Sequence, residues 1–259
     1  MLQASPSPRL PAPSEEPGHW LASSPLLDLE DPKLRLRVHA LTQLCKSERE
    51  KALALYGFVK RMPFAKGLKL RLNTAREVLE AGRGDAPDKA TLLLALLRLA
   101  GIPARIRYLM LRGDILRGLT SAMPTAARPL LEVWLHQRWL RTDTYIFDAA
   151  YMAAARDRLK ERGWEWGWGI HVGGHAIWDA MGDSYLAGVP TESDPMVLED
   201  LGLYADPLEF VCSRAYRDNH ARIARALHWN LLAPAMHRAI RELRASAGAG
   251  QALAARRIS

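Results

Sequence analysis

Cysteine is nearly absent: the 259 residues hold two, Cys45 and Cys212. Two thiols cannot build a disulfide framework or a cysteine-based zinc site, and such scarcity suits a reducing compartment, the cytoplasm. Long apolar runs are missing too. The leucine-rich run Leu92–Leu97 stops at Arg98, far short of the ~20 residues of a membrane-spanning helix. No membrane association is expected. Residues 1–20 carry five prolines and no apolar stretch, so they do not read as a secretory signal. Aromatics make up 7% of the chain and lysine only eight of its 36 basic residues.

What is present is a chain of ordinary globular proportions, 49% hydrophobic and 25% charged, with a net charge of +8. Its length suits one large domain. The positive balance would attract anionic ligands, but the charges are scattered, as on solvated faces. The basic run Lys60–Arg76 interleaves with Phe64, Leu68, Leu70 and Leu72. It reads as an amphipathic connector, and no nucleic-acid motif accompanies it.

Periodicity divides the chain. Residues 1–24 form a Pro/Ser-rich leader expected to be loose. Residues 25–244 form a single domain with its core motif at 73–148, and 245–259 a flexible tail. Asp31-Pro32 opens a helix, Ala52–Val59 a second and Asn73–Ala81 a third, ended by Gly82. The strongest element spans Asp85–Ala100, with Asp85 as cap, Pro87 in the first turn and Gly101 and Pro103 as stops. It is apolar after Lys89, so it belongs in the centre. The period then shortens to two: Arg105–Met110, Leu130–Leu135 and Trp139–Tyr145 read as strands, the last two joined at His136-Gln137-Arg138 as a hairpin. A helix over Ala149–Arg162, an irregular Gly/Trp stretch and a mostly helical Leu208–Arg244, broken near Pro234, complete an α+β pattern with an antiparallel sheet.

Gly82–Tyr108, GRGDAPDKATLLLALLRLAGIPARIRY, resembles the core motif of the transglutaminase-like superfamily. Gly84, Asp88, Lys89, Ala90, Leu92, Leu97, Arg98 and the run Gly101–Arg105 are in register with it. Arg128–Asp148 is similar to the family's paired strands, with Glu132, Trp139 and Asp143 matching. The resemblance implies a papain-like core: a central buried helix packed on an antiparallel sheet, with added N- and C-terminal helices. It also implies a triad of cysteine at the helix start, where the dipole lowers its pKa, histidine on the facing strand and aspartate to orient it.

Two of the three are replaced. The cysteine position is Ala86, the histidine position Arg128, and only Asp143 keeps its triad place. A methyl group cannot attack a carbonyl, and a guanidinium cannot act as a general base near neutral pH. His136 is roughly 26 Å further along the strand. Cys45 and Cys212 sit on helices where inert buried thiols are usual. The expectation is a pseudoenzyme in which Asp85, Ala86, Arg128 and Trp168 bind a peptide-, amino-acid- or acyl-type ligand, with a scaffold role toward a protein partner left open. Arg128 forms either a structural pair with Asp143 or a fork for an anionic group. The alternative is an enzyme using Asp85, Asp88 or Asp143 for non-thiol acid–base chemistry such as hydrolysis, acyl transfer or cyclisation. No cofactor is implied. Trp164, Trp166 and Trp168 would share one face of an extended backbone. His171 and His175 have metal-pair spacing, but Gly173 and Gly174 between them argue against a helix and so against a metal site.

Overall fold

The computed structural model describes residues 16–219 and 230–258, with side chains described up to residue 246. Helices α1 (Pro32–Thr42), α2 (Glu48–Arg61), α3 (Ala75–Ala81) and α4 (Ala86–Leu99) precede strands β1 (Ala104–Arg112), β2 (Thr125–Leu135) and β3 (Arg138–Thr142). Then come α5 (Ala149–Arg162), the two-residue strands β4 (Trp166–Gly167) and β5 (Ile170–His171), β6 (Val197–Tyr204), α6 (Pro207–Cys212), α7 (Arg214–Asn219) and α8 (Ala233–Ile258). This is α+β, as expected. The main sheet is antiparallel, in the order β3-β2-β1-β6.

Local chemistry accounts for the boundaries. Asp31 accepts from the amides of Lys33 and Leu34 to open α1, and Gly82, at φ 61°, ends α3 in the left-handed region. Asp85 and Asp88 form a reciprocal capping box at the start of α4. From Asp88 to Arg98 every residue of α4 is buried. It packs on β1 and β2 and beneath α1–α3, where its five buried leucines, at ~2 kcal/mol each, make it the anchor of the core. Ile106, Tyr108 and Met110 join this core, while Leu109 and Leu111 enter a smaller cluster with Leu130 and Tyr185. β1 is therefore covered on both faces.

Several expectations need correction. The hairpin turns on His136 and Gln137, both at positive φ, but β2 starts at Thr125 and β3 ends at Thr142. β6 was not anticipated: its acidic, Gly-containing sequence marks an edge strand with little alternation. The described part of the leader is not loose, because Pro17–Leu21 forms a helical turn that buries Trp20. Residues 1–15 lie outside the described part. Leu208–Arg244 divides into α6, α7 and α8, with residues 220–229 also outside the description, and Pro234 opens α8 rather than breaking it. α8 runs on to Ile258 where a frayed tail was expected; the alanines there favour helix and outweigh the glycines. No helix among the described residues is long and apolar enough to cross a membrane.

Candidate functional site

The residues that match the family motif are mostly held by one another. Glu132 is fully buried and accepts from Arg105 and Arg107, each at 2.7 Å. Arg141 lies 3.5 Å away. Arg105 also lies over the Trp139 ring at 4.0 Å. Arg98 donates to the carbonyls of Ala22, Ala104 and Ala205, tying the end of α4 to β1 and to the loop before α6. Burial pulls its guanidinium down to about 10. Lys89, buried without exposure, donates to the Met62 carbonyl at 2.9 Å, and burial lowers its pKa well below the usual lysine range.

At the start of α4 the side chains open onto a cavity of about 230 Å³. Asp85, Ala86 and Arg128 all line it, so the structure brings together three of the expected site residues. Asp143 is not in the lining. It lies behind Arg128, which donates to it at 3.3 Å and to the Gly169 carbonyl at 2.7 Å. The second Asp143 oxygen accepts from the Leu186 amide at 2.7 Å. Burial raises the Asp143 carboxyl, outweighing the opposing pull of Arg128. Gly169 must be glycine: at φ 83° an added Cβ would stand 2.4 Å from the Phe147 ring.

Two site residues escaped the sequence reading. Lys66 and Lys69 also line the cavity, and both bind Asp85, at 2.8 and 2.6 Å. Lys69 reaches Asp88 as well, at 2.7 Å, and Asn73 donates to Asp88 at 3.1 Å. Burial pushes both carboxyls up, but the two lysines hold Asp85 well below the ordinary range, while its negative charge helps raise Asp88. The lysines of the basic run are thus turned inward, while Arg61, Arg71 and Arg76 stay exposed. Lys60, at its start, donates to the Thr144 carbonyl at 2.6 Å and is pulled down by burial to about 8. The alternation of basic and apolar residues around Lys69 was the available signal, but it does not tell an inward lysine from an outward one.

The rest of the wall is apolar. Phe64, Leu72, Ile115, Phe147, Phe210 and Met236 are among its residues, so α8 closes a side that the motif alone does not describe. An open recess of about 560 Å³ around Arg112–Pro124 adjoins it through Leu119 and Met123.

Trp168 does not line the cavity. It is buried, stacked on Trp164 at 5.7 Å, and its ring fills the space over Gly118. The three tryptophans do not share a face, because positive φ at Trp168 turns the backbone, and Trp166 packs on His171 instead. The two histidines settle local turns: His171 Nδ1 accepts from the Gly173 amide and His175 Nδ1 from Tyr185. No cluster able to hold a metal occurs among the described residues. Cys45 is half-buried just beyond α1, and Cys212, at the end of α6 rather than in the last helix, is exposed. Neither lines the cavity.

Residues 37–144 match the profile of the transglutaminase-like superfamily. A crystal structure at 1.9 Å from Cytophaga hutchinsonii, named as that of a candidate cysteine protease, is 19% identical. The match covers 48% of this chain and 40% of that one, with a TM-score of 0.40. The chain thus spans about two fifths of that structure's length. No curated protein matches it.

Proposed function

We propose that this chain is a transglutaminase-like protein that has given up thiol catalysis and binds a peptide-, amino-acid- or acyl-type ligand in the crevice where a nucleophile and base would stand. One observation carries the reading: Ala86 and Arg128, the replacements at the two reactive positions, line the same cavity. A methyl group and an ion-paired guanidinium supply no nucleophile and no base, and the walls around them favour binding of an apolar body. Arg128 is spent on Asp143 and Gly169, which favours its structural role over that of an anion clamp.

Acid–base chemistry by the Asp85–Asp88 pair is the second reading, and the raised Asp88 carboxyl speaks for it. Against it, the oxygens of both carboxylates are engaged by helix amides, lysines and Asn73. The test is to compare the unmodified protein with Ala86→Cys plus Arg128→His in amide hydrolysis and acyl transfer. The reading expects an inert parent and activity in the double variant. Appreciable turnover by the parent overturns it, and an inert double variant means the crevice has diverged beyond two residues.

A further inference from the structure

The tryptophan-rich stretch after α5 carries two arginines. The guanidiniums of Arg117 and Arg162 both lie over the Trp164 ring, each 4.8 Å from its centre, and Arg162 also reaches the Trp168 ring at 5.7 Å. Arg117 comes from the loop between β1 and β2 and Arg162 from the last residue of α5, so two separate parts of the chain converge on one indole. Both arginines are exposed. Neither side chain makes an ion pair or a hydrogen bond among the described residues. The acids nearest to them in sequence are engaged elsewhere, Asp114 by Arg112 and Glu161 by Arg158.

The floor under the pair is rigid. The Trp168 amide donates to the Arg117 carbonyl at 2.7 Å, and the Trp168 carbonyl accepts from the Tyr151 hydroxyl at 2.8 Å. At Gly118, with φ 89°, an added Cβ would stand 2.2 Å from the Trp168 ring, so only glycine lets the loop close over it. Stacking on an indole orients a guanidinium and leaves its N–H edge open to an acceptor.

Two like charges held at one ring repel each other, and an anion shared between them relieves that repulsion. A carboxylate brings two oxygens and a single charge, which one guanidinium fork already matches. A phosphate monoester brings three acceptor oxygens and close to two negative charges at pH 8, which suits two forks. Arg117 also lines the open recess around Arg112–Pro124, together with Leu119, Thr120, Ser121 and Met123. The organic group of an ester has room there beside both apolar and hydroxyl side chains.

We infer that Arg117 and Arg162 form an anion site for a small phosphate monoester, its phosphoryl oxygens on the two guanidiniums and its organic group in the recess. Arg117, Arg162 and Trp164 are all outside the lining of the cavity at Ala86. The inference therefore goes beyond the crevice reading, and neither depends on the other.

The probe is phenyl phosphate, titrated calorimetrically at pH 8 and constant ionic strength into the full chain, with benzoate as the singly charged comparison. The parent is expected to bind phenyl phosphate at least about tenfold more tightly than benzoate. Arg117→Gln and Arg162→Gln should each weaken it about tenfold, and the double variant by less than the product of the two, because both side chains touch one anion. Arg61→Gln, which removes an exposed charge on α2, should change the affinity less than about twofold. Equal losses in all three single variants would mean that bulk charge does the binding, and would overturn the inference. A loss confined to one of the two arginines, benzoate binding as tight as phenyl phosphate, or no binding by the parent overturns it as well. The parent alone supplies a check that needs no variant to fold: inorganic phosphate should displace the probe where chloride at the same ionic strength does not, and equal displacement by chloride sinks the site. Each of these failures leaves the crevice reading standing.

Discussion

Replacing Arg128 by methionine tests the central ion pair without opening the wall to water, since the thioether fills the volume of the arginine stem. It leaves Asp143, 3% exposed, with the Leu186 amide as its remaining side-chain partner. Breaking a buried pair from one side costs about 3–5 kcal/mol. Here the contact is single and long, 3.3 Å, so the lower end applies, about 3 kcal/mol at pH 8. For a chain of this size that is a fall in Tm of roughly 6–12 °C.

The pH dependence separates a charge effect from a packing effect. Burial already raises the folded Asp143 pKa above the ordinary aspartate value, and loss of Arg128 raises it further. A raised carboxylate binds more protons folded than unfolded, so its contribution is intact below the ordinary value and is lost as pH rises through the folded one. The variant's deficit should therefore grow between pH 4.5 and 8. Urea titrations followed by tryptophan fluorescence, at both pH values, measure it. Adding Asp143→Asn should recover most of the loss at pH 8. An equal deficit at both pH values with no recovery would refute the reasoning.

Three further perturbations probe the surroundings. Glu132→Gln removes the charge that faces Arg105, Arg107 and Arg141, and should cost about 3–5 kcal/mol in urea unfolding; a loss below ~1 kcal/mol would mean that the arginines repartner freely. Asp85→Ala should lower the Asp88 pKa, read from its side-chain carboxyl carbon by NMR, because a negative neighbour disappears; an unchanged value would assign the whole shift to burial. Lys60→Met should flatten the stability profile between pH 8 and 10.5. With Lys60 at about 8 folded against 10.5 unfolded, the unfolded chain binds more protons there and stability rises with pH, by about 3 kcal/mol at most. An undiminished rise in the variant would place its source elsewhere.

The helices and the hairpin were legible because their signals are local. Caps at Asp31 and Asp85, the stop at Gly82 and the shift to period two at Arg105 each act within a few residues. β6 was not legible: it is an edge strand, paired on one side to β1, and its burial pattern is mostly partial or exposed. The positions of Ala86 and Arg128 followed from the motif register, and both do reach one cavity. What closes that cavity did not follow. Phe210 and Met236 lie well beyond the end of the motif at Asp148, and Lys69 meets Asp85 only because the Phe64–Gly84 bridge folds its loop back. Trp168 was misplaced for a conformational reason, since a residue at φ 49° cannot continue the alternation on which the three-ring face relied.

On the reading proposed above, the division of labour within the motif explains how such a scaffold would stand without a reactive pair. Arg98, Arg105, Glu132 and Trp139 satisfy one another or nearby carbonyls, and none of them touches Ala86 or Arg128 through a hydrogen bond. The cap of α4 is likewise complete in Asp85 and Asp88. On that reading, a cysteine and a histidine would contribute chemistry but little framework, and their absence would leave an intact helix–sheet seam with an altered lining. The one framework cost would fall on Asp143, a buried carboxylate. Arginine at position 128 answers that cost twice over, neutralising the carboxylate and donating to Gly169. A neutral residue at position 128 would leave the Asp143 carboxylate with the Leu186 amide alone, so the arginine there serves the aspartate whatever the cavity binds.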